Sequence, residues 1–313
     1  MIPDLNSIKK AHQIIKPFIH RTPVLSSSIL NTMVGGKMYF KCENFQRCGA
    51  FKMRGATHAV NCLSEEELQK GVATHSSGNH AQALALAAKT KGIKAYIVMP
   101  ENAPKVKVAG VRDYGAEITF CQPTLAARES TLEQVVQRTG ASFIHPFNNY
   151  RVIEGQATAT LELIEEIDSM DYILAPVGGG GLLSGTALSA RYLSPQTRVI
   201  GCEPEGADDA YQSFKSGEII PSINPNTISD GLLTSLGEKT FEIIQHAVHD
   251  IMRVSDANTI AAMKLVWERM KLVIEPSAAV PLGVVLSNKE FFTNKRIGII
   301  LSGGNIDLSR LPF

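Results

Sequence analysis

The sequence predicts an α/β protein with parallel sheet. Short apolar runs typical of strands alternate with longer runs in which apolar residues recur at helical spacing. Short turns rich in glycine and proline separate the two kinds of run. The chain has 313 residues, of which 44% are hydrophobic. That is enough apolar material for one large or two modest domains.

The alternation predicts seven strands and nine helices. The predicted strands are 37–42, 95–99, 117–120, 142–145, 172–177, 198–202 and 296–301. The predicted helices are 52–63, 78–91, 103–114, 125–139, 151–168, 181–192, 238–247, 257–270 and 277–286. No linker is visible, so one lobe is expected to be inserted in the other. The prediction is a large domain formed by 1–69 and 147–313, and a small domain formed by 70–146.

Composition argues against several classes of function. Lys plus Arg number 31 and Asp plus Glu number 30, so the net charge is +1. A nucleic-acid or membrane-surface protein needs a basic footprint, so neither partner is predicted. The sequence contains no run of about 18 apolar residues, so no membrane span is predicted. The first residues lack the pattern of a signal peptide. The five cysteines form no C-x-x-C pair, which favours reduced thiols in a cytoplasmic protein over disulfides or zinc.

A lysine stands at the predicted start of a helix, after a Gly-Ala turn. Lys52 lies in the segment GAFKMRGA, 49–56. A helix N-terminus carries partial positive charge and disfavours a cation. That field, with burial, lowers the pKa of an amine and makes it nucleophilic toward an aldehyde. The segment alone also fits a surface lysine.

Small polar side chains crowd a strand-to-helix turn at 74–82, which has the sequence THSSGNHAQ. Side-chain donors and unpaired backbone N–H groups at such a turn suit a carboxylate or an aromatic hydroxyl. Serine and asparagine are also ordinary helix caps. Two serines and two histidines exceed what capping needs, so a ligand site is favoured.

Four consecutive glycines, Gly178 to Gly181, separate an apolar strand from a helix. Glycine lets the backbone wrap closely around a phosphate, and a helix N-terminus favours the anion. A merely flexible turn is disfavoured because four glycines are entropically expensive. The segment imitates a dinucleotide fingerprint, but its third glycine position is occupied by Ser184 or Leu183, so an NAD oxidoreductase is disfavoured.

A hydroxyl follows the predicted strand 296–301. Ser302 begins the segment SGGN and would lie at the carboxyl end of a parallel strand, where α/β folds bind ligands. The segment alone fits a simple turn equally well.

Taken together and in this order, the four segments resemble the fold-type II pyridoxal 5'-phosphate (PLP) enzymes, whose fold is tryptophan synthase β-like. Within them the resemblance is to the serine racemase and serine/threonine dehydratase family, and it extends over essentially the whole chain. It implies two lobes, each with a largely parallel sheet flanked by helices, and PLP bound by the large domain.

The resemblance also implies residue roles. Lys52 would attach PLP covalently and act as base on one face of the substrate, and Ser77 would be the acid/base on the opposite face. A neutral Ser302 at the pyridine nitrogen favours elimination or racemisation over transamination. The implied cofactor-binding residues are Phe51, Lys52, Asn79, Gly178, Gly179, Gly180, Gly181, Leu182, Gly231, Glu275 and Ser302. The implied substrate-binding residues are Ser76, Ser77, Asn79, His80, Arg128 and Thr234.

Two further sites are implied. Glu203, the Ala207 carbonyl and Asp209 match a divalent-cation site, and oxygen donors suit Mg²⁺, Mn²⁺ or Ca²⁺ rather than zinc. Alone, this acidic cluster fits a solvated surface. An ATP effector site is matched only in part, because Arg47 and Cys48 depart from the usual Lys and Thr. The matching residues are Ser27, Ser28, Ile29, Gln82, Tyr114, Lys271 and Asn305. The family also implies a homodimer.

The predicted function is therefore that of a PLP-dependent serine racemase and L-serine/L-threonine ammonia-lyase acting on a small hydroxy-amino acid. A threo-3-hydroxyaspartate ammonia-lyase is the alternative. Arg151 could attract its second carboxylate, although an exposed helix start fits that residue better. A binding protein without catalysis is disfavoured by the intact Lys52, Ser77 and glycine segment.

Overall fold

The computed structural model describes residues 1–313 and contains ten strands in two sheets. The larger sheet has the order β1-β2-β10-β7-β8-β9, and only the β1–β2 pair is antiparallel. The smaller sheet has the order β5-β4-β3-β6 and is entirely parallel. The strands are β1 Val24–Leu25, β2 Lys37–Cys42, β3 Val72–His75, β4 Ala95–Pro100, β5 Glu117–Cys121, β6 Ser142–Phe143, β7 Tyr172–Pro176, β8 Arg198–Pro204, β9 Asp250–Val254 and β10 Arg296–Leu301.

Fourteen α-helices flank these sheets. They are α1 Leu5–Ile15, α2 Ser28–Val34, α3 Lys52–Asn61, α4 Glu65–Lys70, α5 Asn79–Lys91, α6 Lys105–Asp113, α7 Leu125–Thr139, α8 Tyr150–Glu166, α9 Gly181–Leu193, α10 Asp209–Ser216, α11 Glu238–Ala247, α12 Asp256–Leu265, α13 Pro276–Ser287 and α14 Lys289–Phe292. The predicted α/β class with parallel sheets flanked by helices is confirmed. None of the helices is long and apolar enough to cross a membrane.

All seven predicted strands and nine predicted helices are present, with ends that shift by a few residues. The predicted helix 257–270 is interrupted, because residues 266–270 form a π-helical turn that ends at Lys271 with a φ of 59°. The strands β1, β3 and β9 and five helices were not among the predicted elements, although the strand-to-helix turn predicted at 74–82 implies a strand where β3 ends. Most of these elements are short. Helix α1 is different, because it spans 11 residues and buries Ile8, Ala11 and Ile15 along one face, so its helical spacing was a usable signal that the prediction overlooked.

The four strands of the smaller sheet lie within the segment predicted as the small domain. Helix α3 precedes that segment, yet its Met53, Ala56 and Val60 share an apolar cluster with Ala81 and Leu84 of α5. The helix that begins at Lys52 therefore packs between the two lobes. The domain boundaries themselves stay a prediction.

A fully buried charge cluster holds the beginning of α3. The Arg54 guanidinium donates to both carboxylate oxygens of Glu43 at 2.7 and 2.8 Å, and to Glu162 at 2.8 and 2.9 Å. The Lys41 ammonium donates to Glu162 at 2.7 Å. Two cations and two carboxylates balance, so no charge in the cluster is left without an opposite partner. The cluster connects β2, α3 and α8, and its Arg54 lies two residues after Lys52 in α3.

Candidate active site

Lys52 is the first residue of α3, as the sequence predicts. Its Nζ donates a 3.0 Å hydrogen bond to the carbonyl of Pro146, and the Phe51 ring centroid lies 5.1 Å from the same Nζ. Burial lowers the pKa of Lys52 to about 8, and the Glu275 carboxylate opposes this shift only in part. The unprotonated amine, which is the form that attacks an aldehyde, is therefore a minor but far larger fraction near neutral pH than in an exposed lysine.

The segment after β10 is joined to the turn before Lys52 through the backbone. The Phe51 N–H donates to the Ser302 carbonyl at 3.0 Å, and the Gly304 N–H donates to the Gly49 carbonyl at 2.9 Å. Ser302 is buried. The first and fourth sequence motifs therefore lie side by side, although some 250 residues separate them in the chain.

The glycine segment leaves its backbone donors free. Gly178 to Gly181 and Leu182 are buried, and none of their five N–H groups donates a hydrogen bond within the protein. They lie at the N-terminus of α9, where the helix dipole favours an anion. Gly180 has a φ of 87°, a conformation that side chains disfavour. Buried unpaired donors of this kind fit a phosphate group.

Phe147 connects the lysine to the glycine segment. It follows Pro146, whose carbonyl accepts from Lys52, and its ring lies directly against Gly179. A Cβ at Gly179 would lie 2.2 Å from a ring carbon of Phe147. The absence of a side chain at Gly179 therefore lets the Phe147 ring pack against the backbone, in addition to leaving the backbone N–H groups accessible to a ligand.

Three polar side chains form a chain beside the lysine. Asn79 Nδ2 donates to Glu275 Oε1 at 2.7 Å, and Asn305 Nδ2 donates to Asn79 Oδ1 at 3.0 Å. The second oxygen of Glu275, Oε2, is buried without a partner. Burial raises the pKa of Glu275 to about 7, and the Lys107 ammonium opposes the shift. Asn79 and Glu275 therefore lie in contact, and Glu275 is close enough to Lys52 for its charge to affect the pKa of the lysine.

The turn after β3 carries Ser76 and Ser77, which precede Asn79 and His80 of α5. Ser76 Oγ accepts from the Gly78 N–H at 3.2 Å. His80 Nε2 lies 3.2 Å from the Ile144 carbonyl, which leaves Nδ1 buried without a partner. Burial, with the nearby Lys52 ammonium, holds the pKa of His80 well below its usual value. A neutral imidazole with a free nitrogen can accept a hydrogen bond from a ligand.

Other predicted residues lie farther from this group. Arg128 is on the first turn of α7, where its Nε donates to the Thr124 carbonyl at 3.4 Å. Thr234 is exposed and makes no side-chain hydrogen bond, whereas the Gly231 N–H donates to Ser277 Oγ at 3.1 Å. Arg151 is exposed at the start of α8. The structure does not bring these two arginines into contact with Lys52 or the glycine segment.

The predicted cation site contains buried carboxylates. The Glu203 side chain is buried, and its carboxylate accepts hydrogen bonds from the Ala210 and Tyr211 N–H groups at 3.0 and 2.8 Å. Asp209 is buried, and both of its carboxylate oxygens lack a partner. No group of three or more His, Cys, Asp or Glu side chains could hold a metal. The two carboxylates therefore fit a cation only if backbone oxygen, such as that of Ala207, completes the donor set.

The residues matched to a nucleotide site are divided between two places. Ser27, Ser28 and Ile29 line a cleft of about 310 Å³ together with Leu25, Ser26, Arg269 and Met270. Asn305 instead donates to the Cys48 carbonyl at 2.7 Å and reaches Asn79.

Sequence reasoning missed Pro146, Phe147 and Lys107 as parts of the site. The first two follow the predicted strand 142–145, so their place at a carboxyl strand end was a usable signal. Lys107 lies in an ordinary amphipathic helix, and nothing in its local sequence distinguishes it.

Comparison with known proteins identifies the class. Residues 15–303 match the family model described as pyridoxal-phosphate dependent enzyme, so the chain belongs to that family. The beta-hydroxyaspartate dehydratase of Paracoccus denitrificans is 50% identical over 312 residues, covering 100% of this chain and 99% of that protein. The serine racemase of Dictyostelium discoideum is 51% identical over 311 residues, covering 98% and 96%. A crystal structure of a threonine deaminase from T.th. is 42% identical with a TM-score of 0.94, covering 98% and 100%. The predicted family and its fold-type II architecture are confirmed.

Proposed function

We propose that this chain is a serine racemase that also converts L-serine and L-threonine to the corresponding 2-oxo acid and ammonia. The β-hydroxyl leaves as water, and hydrolysis of the resulting enamine takes up one water again. The observation that carries the proposal is the buried Lys52 amine, joined through Pro146 and Phe147 to a segment of five unused backbone donors. Relatives named serine racemase and threonine deaminase that span nearly the whole chain support the substrate class.

The donor set fits PLP. Gly178, Gly179, Gly180, Gly181 and Leu182 would hold its phosphate through backbone N–H groups, and Lys52 would be the point of attachment. Phe51, Asn79, Gly231, Glu275 and Ser302 would surround the ring. When bound, PLP withdraws electrons from the substrate Cα, so that the α-proton can be removed.

The chain's own residues would then move protons. Lys52 Nζ takes the α-proton from the L-isomer on one face. Ser77 Oγ returns a proton on the opposite face in racemisation, whereas loss of the β-hydroxyl leads to the 2-oxo acid and ammonia. Ser76, Asn79 and His80 would bind the substrate carboxylate, with Arg128 approaching from the first turn of α7 and Thr234 from the segment after the turn Asp230–Leu232.

The second candidate is a threo-3-hydroxyaspartate ammonia-lyase. It is favoured by the relative named beta-hydroxyaspartate dehydratase, which is 50% identical to this chain. It needs a cation for the second carboxylate, and the exposed Arg151 is poorly situated for that role.

We also propose the finer properties that the resemblance implies. A divalent cation would be held by Glu203, the Ala207 carbonyl and Asp209, which is supported by the two unpartnered oxygens of Asp209. A cytoplasmic location is supported by five free cysteines. A homodimer would cover exposed apolar side chains such as Ile29, Met33 and Val273. ATP would bind at the cleft beside Ser27. In this chain Arg47 and Cys48 would have to take the binding roles that Lys and Thr have in the family.

One experiment tests the proposal as a whole. Purified protein supplied with PLP is expected to gain a visible absorption band, and borohydride should leave PLP fixed on the peptide that contains Lys52. Initial rates on L-serine, L-threonine and threo-3-hydroxyaspartate are then compared, with D-serine formation followed by chiral chromatography. PLP fixed elsewhere would overturn the site. A much higher rate on hydroxyaspartate, without D-serine, would establish the second candidate.

A further inference from the structure

An ion pair crosses between the lobes at the edge of the site. Lys107 Nζ lies 2.5 Å from Asp230 Oδ2. Lys107 belongs to α6 in the lobe of the smaller sheet, and Asp230 begins the turn Asp230–Leu232 in the lobe of the larger sheet. The lysine side chain is 6% exposed, whereas the aspartate side chain is 46% exposed. The contact therefore has a buried cationic end and an accessible anionic end.

The cationic end is next to the substrate turn. Helix α6 packs on α5 and β5, both of its own lobe. The Lys107 side chain passes Gly78, where an added Cβ would lie 3.6 Å from Nζ. Gly78 directly follows Ser76 and Ser77, so movement of Lys107 would change the surroundings of both serines.

The anionic end is attached to the glycine segment. The turn 230–232 is held to α13 by the hydrogen bond from Gly231 to Ser277. Leu232 packs on Gly178, because a Cβ added to Gly178 would lie 3.0 Å from the Leu232 Cα. The pair thus joins the turn that would bind the substrate carboxylate to the turn that borders the phosphate segment.

Nothing local favours a lysine at position 107. It lies in the first turn of α6, where the helix dipole disfavours a cation, and it is buried. Burial alone would lower the pKa of Lys107, but the Glu275 and Asp230 carboxylates more than compensate and raise it. A buried ammonium of this kind is retained only because partners in the other lobe neutralise it.

We propose that Lys107 and Asp230 are a positioning pair that holds the two lobes closed over the substrate site and separates when substrate enters or product leaves. The pair touches neither Lys52 nor Ser77 through a hydrogen bond, so it acts on affinity rather than on proton transfer. The site that it closes is the one assigned in the proposed function, and the inference rests on that function to this extent.

Amide hydrogen exchange tests closure without any turnover. Lys107→Met, Asp230→Asn and the double variant should each speed exchange in residues 76–80 and 230–232 by about fivefold or more. Because the pair acts as a unit, the double variant should match the single ones rather than sum them. Arg138→Met is the matched control, since Arg138 pairs with Glu117 within one lobe. Unchanged exchange in the Asp230→Asn variant, whose substitution is at the accessible end, would overturn the proposal even if Lys107→Met failed to fold.

Steady-state kinetics on L-serine provides the second readout. The same variants should raise KM about fivefold or more and change kcat less than about threefold, because closure is weakened and proton transfer is not. Lys107→Arg, which keeps the charge, should recover most of the affinity. A loss confined to kcat would contradict the assignment. If the parent protein turns over no L-serine, the proposed function fails, while the exchange experiment still decides the role of the pair.

Discussion

Asn79 and Glu275, 196 residues apart in the chain, are joined by a 2.7 Å hydrogen bond that leaves one carboxylate oxygen of Glu275 buried and unpaired. An ionised carboxylate in this setting is costly because only one of its two oxygens is compensated. The lobes meet at this contact, since Asn79 begins α5 and Glu275 precedes α13. Protonation of the Glu275 carboxylate therefore contributes to the stability of the whole site.

Glu275→Gln should remove a pH dependence of stability. The folded pKa of Glu275 is about 7, above its usual 4.5. The side chain therefore stabilises the fold fully below about pH 4.5, and this contribution is lost as the pH rises to about 7. The free energy of unfolding of the parent relative to Glu275→Gln should fall across that range in PLP-free protein, as measured by urea titration. Glu290→Gln, at an exposed position, is the control. Parallel pH curves for parent and Glu275→Gln would refute the raised pKa.

Gly179→Ala should prevent normal PLP binding. The added Cβ would overlap the Phe147 ring, so the glycine segment must move and its donors diverge. We expect PLP affinity to fall by about tenfold or more, measured by absorbance titration. The double variant Gly179→Ala/Phe147→Ala removes the overlapping ring and should regain part of that affinity. A double variant as weak as Gly179→Ala would show that the ring contact is not the cause.

Ser77→Ala should separate the two proposed reactions. Formation of D-serine from L-serine should fall about 100-fold or more, because no acid remains on the second face. Elimination from L-serine should persist within about tenfold, since Lys52 still removes that proton. Chiral chromatography and 2-oxo acid assays on the same samples measure both. Ser130→Ala, at an exposed position of α7, is the control. Equal loss of both reactions in Ser77→Ala would contradict the two-base assignment.

Arg54→Met should destabilise the protein far more than Arg138→Met. Arg54 is fully buried between Glu43 and Glu162, so its removal leaves a carboxylate uncompensated at a cost of about 3–5 kcal/mol. Arg138 and Glu117 are both more than half exposed, so their pair contributes about 1 kcal/mol or less. Urea unfolding midpoints compare the two directly. Equal losses of unfolding free energy would mean that the buried cluster is not needed for stability.

Removal of divalent cations should lower the melting temperature. A cation bound by the folded state alone and present at about 100 times its Kd adds about 2.7 kcal/mol. Protein treated with a chelator should regain stability with Mg²⁺, Mn²⁺ or Ca²⁺, followed by calorimetry. Asp209→Asn should abolish the response, since both oxygens of Asp209 are otherwise unpartnered. A response retained in that variant would place the cation elsewhere.

Most of the fold could be predicted because its central strands and helices carry strong periodicity. The predicted strands 37–42 and 296–301 match β2 and β10 at both ends. The short β1 and the edge strand β9 were missed, since two-residue pairing and a half-exposed edge leave little apolar signal. Sheet order was not predicted either, because register depends on contacts between distant parts of the chain.

Of the candidate site, the residues at strand ends and in glycine-rich turns could be predicted, because local chemistry distinguishes them. Lys107 could not be, since its significance depends on Asp230, 123 residues away. The buried partners of Arg54 were equally invisible, as Glu43 and Glu162 look like surface residues in sequence. Long-range charge pairing leaves no local pattern from which it could be predicted.

The position of β10 has a consequence for biosynthesis. This strand lies between β2 and β7 in the middle of the larger sheet, although it follows the other nine strands in the sequence. The smaller sheet uses only residues 72–143 and can assemble while translation continues. The larger sheet cannot be completed until residues 296–301 leave the ribosome, because β2 and β7 both pair with β10. A nascent chain halted before these residues therefore exposes the unpaired edges of β2 and β7 to chaperones.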